Sequence, residues 1–224
     1  MNHITITEKY ALCMAAVRRK LYDNELGAYL IAAMVIQMMQ DGNLAITGKD
    51  KVRLNGSEPA GACDRRLYSL IEQMGKPEIP LKKILEKLCF GISNRQLYSV
   101  IDRLKESMLQ KNLISMENRK GILGSKEVML VNKSAYDSVI GEIRNAVLGD
   151  RVMTEDMVLL ASLLNSTKLL KGIFTKQEKD KMKERLNEIR HTKAGKRVKA
   201  AQDAIDEMNM IIIGSFVAIT AATT

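Results

Sequence analysis

The chain has 224 residues, a formal charge of +9, an aromatic fraction of 4% and no tryptophan. That length can bury a substantial core, and with 14 methionines and few aromatics the core must be aliphatic, which favours helix-on-helix packing over a β-sandwich. The positive excess points to an anionic partner, whether nucleic acid, phospholipid or acidic protein, and only three prolines interrupt the chain, so long helices are permitted.

In chain order, Thr7 is placed to cap a first helix through Tyr10, Cys13, Met14 and Val17. Arg18, Arg19 and Lys20 close it, where cations suit the negative end of the helix dipole. After a polar turn at Tyr22–Glu25, residues Leu26 to Met39 form a second helix that is apolar on nearly every face, the pattern of a buried helix. Leu44–Thr47 and Val52–Leu54 alternate as a small hairpin around Gly48-Lys49-Asp50. Asn55 to Ala62 is a loop, and Arg66–Met74 and Leu81–Leu88 are short helices divided by Gly75-Lys76-Pro77.

Ser93 to Val131 reads as a helix, a tight stop and two strands. Ser93 and Gln96 fit a capping box, and Leu97, Ile101, Leu104 and Met108 lay one apolar stripe along the helix. Leu113–Met116 and Val128–Val131 are strand-length apolar runs joined by a polar, basic tip from Glu117 to Ser125. The order helix, Gln-Lys-Asn-Leu, hairpin echoes the earlier helix, Gln-Asp-Gly-Asn-Leu, hairpin. This is reuse of one local solution and not a repeat array.

Ala135–Leu148 is a further amphipathic helix. Thr154 caps Glu155–Leu164, and Thr175 with Glu178 forms another capping box, before a helix that buries Met182, Leu186 and Ile189. The stretch from Lys168 to Lys199 is the most positive of the chain. A last helix from about Val198 turns wholly apolar over Met208–Ala222. That run is shorter than the roughly 20 residues a membrane span needs, so it is expected at the centre of a helical bundle. No basic leader with a cleavage site is visible.

Little in the sequence suggests catalysis. His3 and His191 are the only imidazoles, and Cys13, Cys63 and Cys89 lie far apart, so no nucleophile–base pair and no zinc spacing is evident. They read as reduced thiols of a cytosolic protein. Gly121 to Lys126 has the wrong spacing for a phosphate loop. No enzyme activity, cofactor or metal is expected. Two binding readings remain. Residues 81–131 have the order of a winged-helix DNA-binding unit, with Arg95, Arg103 and Lys105 on the second helix, Asn94 and Ser99 near its start, and Arg119 and Lys120 on the wing. Alternatively, a cationic helical domain docks on anionic lipid head groups.

The segments Gly27–Ile46 (GAYLIAAMVIQMMQDGNLAI), Val100–Ile114 (VIDRLKESMLQKNLI) and Val147-Leu148-Gly149-Asp150 before a leucine-rich helix resemble the Golgi phosphoprotein 3 family. The resemblance covers nearly the whole chain. It implies one mainly α domain over residues 1–224, with a central apolar bundle ringed by amphipathic helices and one or two small β-hairpins. It also implies a non-enzymatic role, cytoplasmic or peripheral on membrane, and binding of phosphatidylinositol 4-phosphate. Self-association through the hairpin is implied at Leu113, Ile114, Val128 and Leu130. The family's head-group tryptophan falls at Tyr22, and its three head-group arginines fall at Ile31, Tyr98 and Ile101. Neutral residues at those positions cannot make charge-assisted bonds to phosphate. Head-group contact is therefore expected from Tyr22, Arg18, Arg19, Arg103 and Lys105, with an anionic phospholipid surface and a second copy of the chain as partners.

Overall fold

The computed structural model describes residues 3–22, 24–47, 50–90, 93–121, 124–149, 153–167, 169–191 and 196–222. The first half comprises α1 (Ile6–Arg18), α2 (Asn24–Gln40), β1 (Leu44–Thr47), β2 (Lys51–Leu54), α3 (Ala62–Glu72), β3 (Ile79–Pro80), α4 (Leu81–Cys89) and α5 (Arg95–Gln110). There follow β4 (Ile114–Gly121), β5 (Gly124–Val131), α6 (Lys133–Leu148), α7 (Glu155–Ser166), α8 (Leu170–Ile173), α9 (Lys176–Arg190) and α10 (Lys196–Ala222). The protein is mainly α, with one three-stranded and one two-stranded antiparallel sheet among the described residues.

The axis of the fold is α2. Leu30, Ile31, Ala33, Met34, Ile36 and Met38 are all buried, and the helix packs against α1, α3, α4, α5, α7 and α10. A helix that is apolar all round has no face to offer water, so its neighbours enclose it. Gly27 permits the closest of these approaches: a Cβ there would lie 2.7 Å from Cδ2 of the buried Leu97 on α5.

As far as residue 215, the expectation that the greasy run of α10 lies at the centre is corrected. Val198, Ala201, Ile205, Met208 and Ile212 are buried at three- and four-residue spacing, which makes α10 an amphipathic wall against α2, α4 and α7. Met210 is 62% and Ile213 46% exposed. Asp203, Asp206 and Glu207 on the same helix demand solvent, and α2 already fills the middle. Side chains from 216 onwards lie outside the described residues.

The two similar stops seen in the sequence are one backbone device. Asn43 N–H donates to Met38 O and Leu113 N–H donates to Met108 O, each at 2.8 Å, with Gly42 (φ 79°) and Asn112 (φ 55°) left-handed in between. This is the Schellman ending, and glycine and asparagine are the residues that tolerate it. Asn132 then locks the second copy by donating to Asn112 O at 2.8 Å while its Oδ1 caps α6 at Ala135 N–H.

Two predicted caps move. The first helix is capped by Thr5, which forms a reciprocal box with Glu8, whereas Thr7 is buried. Helix α5 starts at Arg95 with Asn94 at the cap position, and Ser93 Oγ accepts from Arg95 N–H at 3.3 Å, so no Ser93–Gln96 box forms. The caps at Thr154 and Thr175 form as expected. The hairpin is longer than the sequence implies: β4 and β5 pair from Ile114–Val131 to Gly121–Gly124. The polar stretch Glu117–Lys120 is therefore paired ribbon and not loop, while Ile122 and Leu123 at the tip lie outside the described residues.

A polar seam runs between α1, α3 and α5. Glu8, buried, accepts from Lys111 Nζ at 2.7 Å, from Ser107 Oγ at 2.7 Å and from Thr5 N–H at 2.9 Å. Lys111 also donates to His3 O at 2.9 Å. On α3, Asp64 is only 4% exposed, and its Oδ1 makes no hydrogen bond.

Candidate functional site

The residues singled out from the sequence fall on three different surfaces. Helix α1 ends in the left-handed residue Arg19 (φ 57°), which turns the chain so that Arg18, Arg19 and Lys20 are all exposed. Arg18 and Arg19 make no ion pair among the described residues. Arg19 stands at one side of a groove of about 560 Å³ between α1, β5 and α6, with Arg119 and Lys133 also on its walls and Ala16, Leu130 and Tyr136 beneath. Arg119 pairs with Glu117 at 3.0 Å, and Lys133 pairs with Asp137 one turn on. No sequence signal marked this groove, because its walls come from segments more than 100 residues apart.

Tyr22 and Tyr98 come together. Their ring centroids lie 5.6 Å apart at an interplanar angle of 80°, and the rings' residues remain 39% and 37% exposed. Tyr22 Oη donates to Asp102 Oδ1 at 2.5 Å. Burial raises the Tyr22 phenol above its ordinary value, and the hydrogen bond to Asp102 adds to the effect. Ile31 and Ile101, the other two positions aligned with head-group arginines, are buried in the core. An arginine at either position would have to place its charge within the core.

Helix α5 carries the remaining candidates. Arg103 donates to Glu106 Oε2 at 2.8 Å, and Lys105 Nζ lies 3.9 Å from Glu127 Oε2. Arg66 on α3 donates to Ser99 Oγ at 3.1 Å. Leu97, Val100, Leu104 and Met108 are buried against the body of the protein. Arg95, at the start of α5, is exposed and makes no ion pair among the described residues, whereas Arg103 and Lys105 each meet an acid; an exposed cation at a helix start does not by itself make a recognition helix that reads base edges.

On the hairpin, Leu113 and Ile114 are buried in the chain's own core, whereas Val128 and Leu130 are half-buried. The register explains the split. Val131 faces Ile114 and Met129 faces Met116, and Met129 and Val131 pack on the core. Side chains alternate across a ribbon, so Val128 and Leu130 share the opposite face with Ser115, Glu117 and Arg119.

In the basic stretch from Lys168 to Lys199, several cations are engaged. Arg190 bonds to Asp203 and, at 2.9 Å, to Asp206, and Lys181 donates to Leu148 O at 3.1 Å. Lys168 and Lys193 lie outside the described residues. The three thiols Cys13, Cys63 and Cys89 are free and buried, and burial pushes that of Cys13 up to about 12. Among the described residues no group of three or more histidine, cysteine or acidic side chains forms a metal site, and no helix is long and apolar enough to cross a membrane.

These features define a class: a helical bundle wrapped on one apolar helix, with a projecting β-hairpin and a cationic helix end beside it. The sequence signature of the Golgi phosphoprotein 3 (GPP34) family matches residues 9–208, and the chain belongs to that family. Comparison with individual curated proteins finds no match.

Proposed function

We propose that this protein is a non-enzymatic, peripheral membrane protein that docks on anionic phospholipid from the cytosolic side and associates with a second copy through its hairpin. The observation that carries the docking reading is the exposed pair Arg18 and Arg19 at the end of α1, free of ion pairs among the described residues; the two further cations of the adjoining groove, Arg119 and Lys133, are each paired with a carboxylate and contribute less. Family membership and the charge of +9 support it. Arg103 and Lys105 contribute less, since each sits beside a carboxylate. With Ile31 and Ile101 in the core, the attraction is to surface charge and not to the phosphatidylinositol 4-phosphate head group in particular.

Each well-placed cation near such a surface contributes about 1 kcal/mol, screened by salt. The double variant Arg18→Gln/Arg19→Gln is therefore expected to lower affinity for vesicles containing phosphatidylglycerol roughly tenfold or more. Vesicle flotation with and without phosphatidylglycerol measures this. Equal flotation on both vesicle types by the wild-type protein rejects the docking reading.

The contact between copies is assigned to the face of the ribbon that carries Val128 and Leu130, which stand half-buried on the lining of the groove beside α1. A two-stranded ribbon is marginal by itself in water, which favours a second copy covering this face. Light scattering is expected to give a mass that is a multiple of 25.1 kDa, and Val128→Glu/Leu130→Glu is expected to return it to that of one chain. A wild-type mass of one chain at micromolar concentration rejects self-association.

A further inference from the structure

The contact between Tyr22 and Tyr98 makes a corner that neither residue could make alone. At 80° and 5.6 Å the two rings present nearly perpendicular walls, and over a third of each residue stays open to solvent. A carboxylate stands at the corner: Asp102 is one turn beyond Tyr98 on α5 and is held by the Tyr22 hydroxyl. The neighbouring acids differ from it. Glu106 is met by Arg103 and Glu127 by Lys105, whereas Asp102 makes no ion pair among the described residues.

Two aromatic walls and an unneutralised carboxylate suit a cation. The negative ring faces attract positive charge at about 6 Å or less from the centroid. They favour a cation that is weakly hydrated, because a primary ammonium gives up strong bonds to water on entering. A trimethylammonium group loses little hydration and lays its methyl groups on the rings. We propose that the Tyr22–Tyr98–Asp102 corner binds a quaternary ammonium group of the choline type. The site shares Tyr22 with the expected head-group contacts but takes the opposite charge, uses neither Arg18 nor Arg19, and is tested without anionic lipid.

The test is a titration of the folded full chain with tetramethylammonium chloride, followed by the ring resonances of its tyrosines, with sodium chloride as the ionic-strength control. Saturable shifts confined to Tyr22 and Tyr98 are expected. Tyr98→Leu, which removes one wall, is expected to weaken binding about tenfold. Tyr98→Phe keeps the wall and is expected to leave it unchanged, and Asp102→Asn removes the charge and weakens it. Shifts equal to those in sodium chloride, or a titration indifferent to Tyr98→Leu, overturn the proposal. Phosphatidylcholine vesicles separate the sources: co-sedimentation lost in Tyr98→Leu assigns a lipid head group. Saturable tetramethylammonium binding without co-sedimentation assigns a soluble choline-type solute.

Discussion

Asp64→Asn is expected to stabilise the protein by up to roughly 4 kcal/mol at pH 8, with the gain fading toward pH 5. Asp64 is 4% exposed and its Oδ1 has no hydrogen-bond partner. Burial first, then the nearby carboxylate of Asp41, push it from the usual 3.8 up to about 7, against smaller opposing effects of Cys63 and Lys111. Below pH 3.8 the group is protonated in both folded and unfolded chains and contributes nothing. As pH rises toward 7 the unfolded chain releases this proton while the folded chain keeps it. The unfolded state then binds fewer protons, so stability falls with pH through that window and stays reduced above it. The gap between 3.8 and about 7 sets the size, at about 1.4 kcal/mol per pH unit. Asparagine carries no charge to desolvate, so its curve lacks this slope. Urea denaturation of both proteins from pH 5 to 8 measures the difference. Parallel stability curves across that range refute it.

The second large effect lies in the same seam, at Lys111. Its ammonium, 22% exposed, meets the Glu8 carboxylate, 3% exposed, at 2.7 Å. Removing the lysine leaves an ionised carboxylate buried with only neutral donors. Lys111→Met is expected to destabilise the protein by about 3–5 kcal/mol at pH 8, the range for breaking one half of a buried pair. Glu8→Gln is expected to cost less, because the more exposed ammonium can rehydrate and keeps its bond to His3 O. Lys111 also lowers the Asp64 proton affinity, so adding Asp64→Asn is expected to recover part of the loss, and the two changes will not be additive. Chemical denaturation of the wild type, the three single variants and the double variant checks this. A cost below about 1 kcal/mol would place the pair in the class of solvent-screened surface bridges.

Local features of the chain were readable wherever chemistry a few residues apart decides the outcome. Thr175 and Glu178 cap α9 as their spacing requires, and Leu97, Ile101, Leu104 and Met108 turn inward together. The failures were also local competitions. Thr5-x-x-Glu8 and Thr7 both offer a cap, and only Thr5 has the reciprocal glutamate at the third helical position. Ser93-x-x-Gln96 has the motif, but the helix opens one residue later, which moves Gln96 out of register with Ser93. The polar run Glu117–Lys120 looked like loop because a ribbon standing in solvent needs no apolar alternation to pair its backbone.

Sequence by itself determined the helical character, the buried helix Leu26–Met39, the two hairpins, and the family. Each of these is written in spacings of two to four residues or in their order along the chain. Tertiary structure alone decided that α2 is the centre and that α10, as far as residue 215, is an amphipathic wall, because only packing shows which apolar helix is enclosed first. It alone joined Glu8 to Lys111 and Tyr22 to Tyr98, pairs separated by more than 70 residues. No local pattern records such meetings, since the positions that meet are fixed by how the helices close around α2.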